Sequence, residues 1–208
     1  NFQKQVEKTK LEFGGLVGVS LTSLQFKSDL SSFTVANTDY PISTDFSAGL
    51  FLDVVLPRNQ RRLSIYNELL FSSYNVEGRY TNFVDQNYYD ENYTKIGYSY
   101  LKMNNMIRFK YPLKNSFIYL NAGMSNGFAI KETNYKKVES RFYSTEEVRE
   151  GKALEETNKY EQGYVFGIGS KIKRCSFELR YEVGSGMSIY EALGSFVHRS
   201  SFLLGYRF

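Results

Sequence analysis

The chain holds one cysteine, one histidine, three prolines and no tryptophan in 208 residues. A single cysteine, Cys175, excludes an internal disulfide and any cysteine-rich metal site. No run of eighteen or more apolar residues occurs, which excludes a transmembrane helix but not a membrane-spanning barrel, where only every second residue faces lipid. The net charge is +4 with basic and acidic residues interleaved, so no basic stripe marks a nucleic-acid surface. The chain opens Asn-Phe-Gln-Lys without a charged n-region or apolar h-region; it reads as a mature chain whose signal peptide has been removed, or as a cytosolic one.

What is abundant is tyrosine, phenylalanine and glycine, at 18, 17 and 16 residues. Such an aromatic load suits strands better than helices. Residues 1–10 are polar and read as a periplasmic lead-in, and residues 11–208 as one barrel domain. From Leu11 to about Leu24, Phe13, Gly15, Val17, Val19 and Leu21 share one face. Phe46, Leu50, Leu52 and Leu56 do so in the next strand, and Leu63, Ile65, Leu69 and Phe71 in the third. Strand four alternates Leu101, Met103, Ile107 and Phe109 with Lys102, Asn104, Arg108 and Lys110. Strand five spans 116–130, strand six about 159–172, strand seven carries Phe177, Leu179, Tyr181 and Val183, and strand eight closes at Phe208. The connections alternate long and short: 25–43, 75–92, 131–158 and 184–199 are long, while 57–60, 112–115 and 173–176 are short turns. Within the third long connection, Ser144-Thr145-Glu146-Glu147 matches a capping box and predicts a short helix to about Glu156. The expectation is an all-β, eight-stranded antiparallel up-and-down transmembrane β-barrel with four long extracellular loops and both termini periplasmic.

The faces decide what such a barrel encloses. An eight-stranded barrel has room only for side chains or one small ligand. The leucines and aromatics would overfill it, so they belong outside, with Phe109, Tyr111, Phe177, Tyr206 and Phe208 as an aromatic girdle near the periplasmic rim. The lumen then receives Asp53, Glu68, Lys102, Arg108, Lys110, Glu178, Arg180, Glu182 and Arg207. Unpaired, each buried charge costs several kcal/mol, so a network of ion pairs is expected, and such a network plugs the barrel.

Several stretches resemble a known family. The closing strand, with Phe202, Leu204, Tyr206 and Phe208 on one face and ending in phenylalanine, is similar to the C-terminal insertion signal of bacterial outer-membrane barrels. The run Tyr100 to Tyr111 with Phe117 to Gly123 resembles the middle hairpin of PorT-like outer-membrane barrel proteins of the Bacteroidetes, and Arg62 to Phe71 their third strand; Asn104 and Lys102 depart from the family's usual residues. The resemblance implies a small accessory barrel of protein secretion or larger outer-membrane assemblies, with no catalytic residues to carry over.

Other groups suggest less. His198 lies near Ser195, Ser200 and Ser201, but a serine nucleophile needs a base in hydrogen-bond reach and an orienting carboxylate. Asp85, Asp90 and Glu91 could offer oxygen ligands to calcium without the spacing of a known calcium loop. Gly163, Gly167 and Gly169 alternate within a strand and relieve crowding. The loop tyrosines Tyr74, Tyr80, Tyr88, Tyr89, Tyr93, Tyr135 and Tyr143 suit protein recognition or packing of the loops on each other.

The expected function is that of a non-enzymatic barrel acting as an accessory or scaffold subunit, with a stand-alone pore or surface-binding barrel, and then a rim-located lipid or peptide hydrolase, as alternatives. No cofactor is expected. The expected partners are outer-membrane lipid and lipopolysaccharide, the barrel-assembly machinery during insertion, and other outer-membrane or periplasmic proteins, with no nucleic acid.

Overall fold

The computed structural model describes residues 8–28, 33–57, 59–85, 88–114 and 116–208. Most of the polar lead-in, and parts of two expected turns and two expected loops, lie outside the described residues. Among the described residues nine strands form: β1 (Lys10–Lys27), β2 (Ser43–Val55), β3 (Leu63–Asp85), β4 (Tyr88–Pro112), β5 (Ser116–Phe142), β6 (Thr145–Gly151), β7 (Tyr160–Ile172), β8 (Cys175–Ser185) and β9 (Gly194–Arg207). Every pairing is antiparallel. Eight of the strands close a ring in the order β1-β2-β3-β4-β5-β7-β8-β9, sealed by β1 against β9 from Gly14↔Arg207 to Lys27↔Gly194. The last residue joins this seam, since the amide of Phe208 donates to the carbonyl of Phe13 at 3.1 Å.

The period of two in the sequence becomes inside and outside of the ring. Phe13, Phe46, Leu50, Ile65, Leu69, Ile107, Phe166, Leu179 and Phe202 lie exposed on the outer surface, while their alternating neighbours are buried within. No closed ring of soluble protein would show its leucines and phenylalanines outward around the whole circumference. Short turns connect β2 to β3, β4 to β5 and β7 to β8 at one end, where β1 begins and β9 finishes. All longer connections lie at the other end.

Two expected loops are mostly strand. β3 and β4 pair without a break from Leu63↔Phe109 to Phe83↔Tyr89, through the whole of the expected connection 75–92 apart from its tip. β5 likewise continues to Phe142 against β4. Beyond the apolar belt the outer face of these strands meets water while the inner one is covered by the connections or carries polar Asn92 and Thr94, so alternation of hydropathy disappears although the tyrosines and threonines still favour extended backbone. The expected helix after Ser144 is absent. Tyr143, with φ of 53°, and Ser144 form a two-residue turn, and β6 returns along β5 with Phe142↔Thr145 and Lys136↔Gly151 paired. Glu147 and Arg149 lie two apart on one face of this strand, with Arg149 Nη2 donating to Glu147 Oε2 at 2.7 Å. The serine and glutamate spacing of a capping box here belongs to a hairpin turn. The upper parts of β3, β4 and β5, with β6, thus project as a four-stranded sheet beyond the ring.

Candidate functional site

The interior is layered. At the turn end Glu12 meets Lys10, Lys171 and Arg207 at 2.8, 2.5 and 2.7 Å. Next, Asp53 takes Lys110 at 2.7 Å and Arg108 at 3.6 Å. The Arg108 guanidinium lies between the rings of Tyr66 and Tyr119, 3.6 and 4.0 Å from their centroids, so it is held by two aromatic faces as well as by charge. Its Nε donates to Asn121 Oδ1 at 2.8 Å. Mid-barrel, Glu68 accepts from both terminal nitrogens of Arg180 and from Asn104 Nδ2, and Arg180 Nε donates to Glu178 Oε1 at 2.8 Å. The Tyr119 hydroxyl closes this layer on Glu178 Oε2 at 3.1 Å. Above it, Lys102 bridges Glu161 and Glu182, and Arg199 Nη1 binds the same two carboxylates at 3.3 and 2.8 Å. Buried charges persist only when paired in this way.

Glycine makes room for these long side chains. A Cβ on Gly169 would collide with the ring of Tyr119, and one on Gly167 would stand 2.7 Å from the Glu178 carboxylate. The glycine series of β7 therefore has a packing cause.

The loop end is closed by different chemistry. Leu24, Phe26, Val76, Ile96, Tyr98, Tyr100 and Val197 point inward from the strands and meet Val35, Leu154, Met187 and Leu193 from the connections. Side chains fasten those connections down. Asn134 donates to the Leu154 carbonyl at 2.7 Å and accepts from the amides of Ala153 and Leu154 at 2.9 and 3.1 Å. Lys136 donates to Thr34 Oγ1, and the Tyr40 and Thr94 hydroxyls lie 2.9 Å apart. Tyr74, expected on a loop, is buried in this cap.

A closed ring of eight strands, apolar outside and charged within, is the geometry to set against known proteins. The family model described as "Outer membrane protein beta-barrel domain" matches residues 3–186. The chain belongs to that family. It is an outer-membrane β-barrel, and its apolar outer wall is the surface that meets lipid. Among solved structures the chain is similar to Ail, the attachment invasion locus protein of Yersinia pestis, in complex with the heparin analogue sucrose octasulfate, at 14% identity over 96% of this chain and 99% of that chain with a TM-score of 0.39. It is also similar to Neisserial surface protein A at 8% identity, over 97% of this chain and 100% of that one, with a TM-score of 0.41. No curated protein matches the sequence.

All nine lumen residues expected of this outer-membrane barrel lie on the inner face, with Arg207 the most open at the turn-end rim. Glu12, Glu161, Lys171 and Arg199 join them without having been expected. Glu161 and Lys171 share the inward phase of Val165, and Glu12 that of Leu16, so their signal was in the alternation. Arg199 falls within the expected loop 184–199, whose last six residues belong instead to β9, which begins at Gly194. Phe202, Leu204, Tyr206 and Phe208 all face outward. Asn67 and Asn105 also do so, in the middle of the belt, and nothing singled them out in the sequence.

The remaining groups are dispersed. His198 faces the outer wall with its Nδ1 2.8 Å from the Tyr181 hydroxyl, while Ser201 faces the lumen and lies 3.0 Å from Ser20 Oγ. Histidine and this serine are on opposite faces of one strand, which precludes a nucleophile–base pair between them. Asp90 and Glu91 are adjacent in β4 and diverge likewise, and Glu91 turns to Arg79 at 3.6 Å. Among the described residues no three His, Cys, Asp or Glu side chains gather as metal ligands.

The expected recognition tyrosines spread over the projecting sheet. Tyr135 packs edge-on to Tyr93 on its outer face, beside Arg79 and the Lys95–Glu77 pair at 2.5 Å, around an open cleft of about 420 Å³. The Lys95 hydrogen bond holds the Glu77 carboxyl below its ordinary value, and Glu77 in turn raises the Tyr93 phenol. Tyr88 and Tyr143 pack edge-on to Phe142 at the far tip, Tyr89 shares the outer face with Arg141, and Tyr80 is half-buried on the inner face.

Proposed function

We propose that this chain is a non-enzymatic outer-membrane barrel with a plugged lumen, working as an accessory or scaffold subunit of a larger outer-membrane complex of secretion or assembly, as the PorT-like barrels of the Bacteroidetes that its middle strands resemble. The observation that carries the reading is the double closure. Stacked ion-pair layers from Glu12 to Arg199 fill the lower lumen, and an apolar cap fills the upper one. A barrel so filled offers its surfaces rather than its interior.

The turn end, where β1 begins and β9 finishes, faces the periplasm in this reading, because long connections of such barrels face outward. The outward Phe202, Leu204, Tyr206 and Phe208 form the strand offered to the barrel-assembly machinery. Tyr80, Tyr88, Tyr89, Tyr135 and Tyr143 supply recognition on the projecting sheet, whose tip also exposes Phe83, Val84 and Phe142. That tip stands roughly 40 Å along the strand beyond Phe71, at about 3.3 Å per residue, far above any acyl chain. Aromatics exposed there suit another protein.

The test is purification of the tagged protein from native outer membrane in mild detergent, with mass spectrometry of what accompanies it. One or a few envelope proteins in stoichiometric amounts are expected. The protein recovered alone would refute the subunit role and transfer the weight to a stand-alone surface-binding barrel, for which the Tyr93–Tyr135 cleft is the evident site.

A further inference from the structure

The wall that faces lipid carries a polar pair where none is tolerated cheaply. Asn67 of β3 and Asn105 of β4 are register partners on the outer face, and Asn105 Nδ2 donates to Asn67 Oδ1 at 2.7 Å. Ile65 and Leu69 flank the first, Met103 and Ile107 the second, all exposed. Asn105 is six residues above Tyr111 and Asn67 four above Leu63, which sets the pair inside a belt that a tilted strand crosses in about 9–11 residues. Hydrocarbon offers no partner to a carboxamide. The other carboxamides of the wall sit higher, and there Asn126 accepts from the Tyr160 hydroxyl at 2.6 Å.

One hydrogen bond between two carboxamides leaves the amide group of Asn67 with donors to spare and the Asn105 oxygen as a spare acceptor. Under a two-fold axis along the membrane normal, a facing copy presents its Asn105 opposite Asn67 and its Asn67 opposite Asn105. Spare donor then meets spare acceptor twice, and the surrounding Ile65, Leu69, Met103 and Ile107 meet their equivalents. The pair is thus self-complementary, as an isologous interface requires. Side-chain amides recur as the polar contacts between membrane-embedded segments for this reason.

We propose that the β3–β4 wall is the interface of a symmetric dimer of this chain within the membrane, centred on Asn67 and Asn105. The inference does not rest on the accessory role, since a dimer can serve alone or within a larger complex.

The experiment is oxidative cross-linking in native outer membrane, in a Cys175→Ser background, with Ile107→Cys on this wall and Phe202→Cys on the wall of β9 as the control. Dimer cross-links are expected at position 107 and not at 202, falling at least tenfold when Asn67→Leu and Asn105→Leu are added. The heat-dependent gel mobility of a folded barrel should persist in every variant, which separates loss of the interface from loss of the fold. Equal cross-linking at both positions, none at 107, or cross-linking that survives the leucine pair would overturn the proposal. A cross-link from position 107 to a different protein would overturn the dimer while leaving the subunit role standing, whereas a dimer purified with no companion would do the reverse.

Discussion

At the scale of single residues, the cost of a substitution follows from which side of the wall it falls on. Lys102 is enclosed and serves two carboxylates, so Lys102→Met leaves Glu161 and Glu182 sharing Arg199 alone. Removing one partner of a buried pair costs about 3–5 kcal/mol. Urea unfolding of the refolded barrel should show a loss of that order, and an unchanged midpoint would mean that these charges are solvated. On the outer wall, Phe166→Arg places a guanidinium in the middle of the belt, at a cost of about 2–4 kcal/mol. Val148→Arg on β6 makes the same kind of change above the membrane and should stay within about ±0.5 kcal/mol. Equal effects at the two positions would contradict the placement of the belt. His198→Ala should leave any binding assay untouched, because its partner is a wall tyrosine and not a serine.

At the scale of elements, the strands serve two environments in succession. β3, β4 and β5 run 23, 25 and 27 residues, more than twice the span of the membrane. Their lower halves are held by ring closure, and their upper halves by each other, by β6 and by the cap. In the connection 152–158, Asn134 holds Ala153 and Leu154, while Thr157 bonds Glu132 and the Asn158 amide donates to the Met187 carbonyl. Asn134→Ala removes its three hydrogen bonds to Ala153 and Leu154 at once, and hydrogen exchange should rise there while β7, β8 and β9 keep their protection. Uniform loss of protection would mean that the cap and the ring unfold together.

At the scale of the whole molecule, two closures of different chemistry lie in series. The apolar cap excludes water at the outer end, and the ion-pair layers fill the lumen beneath it. Planar bilayers should show no conductance from the intact protein, and still none from Asn134→Ala, because loosening the cap leaves the layers from Glu12 to Arg199 in place. Steady single-channel steps from the intact protein would instead establish a pore. Stability is also distributed by this stacking, since the ion pairs lie within the ring and the projecting sheet lies beyond them.

Alternation alone determined a great deal. Apolar positions at period two around every segment, with charges in the opposite phase, require an inside and an outside, and a lumen of eight strands is too narrow for the leucines, which sends them outside. The eight-strand count and the short turns followed from the same pattern, because hydropathy is enforced wherever lipid meets one face and a narrow lumen the other. Outside the membrane that enforcement ends. The extension of β3, β4 and β5, the strand β6 in place of a helix at Ser144, and the burial of Tyr74, Val35, Leu154, Met187 and Leu193 in a cap had no periodic signal, since they depend on which connections fold back over the mouth. Pairing also lay beyond the sequence. That Lys102 bridges Glu161 and Glu182, that Arg108 lies between Tyr66 and Tyr119, and that Asn67 meets Asn105 all depend on register across strands distant in the chain, and register is set only when the ring closes.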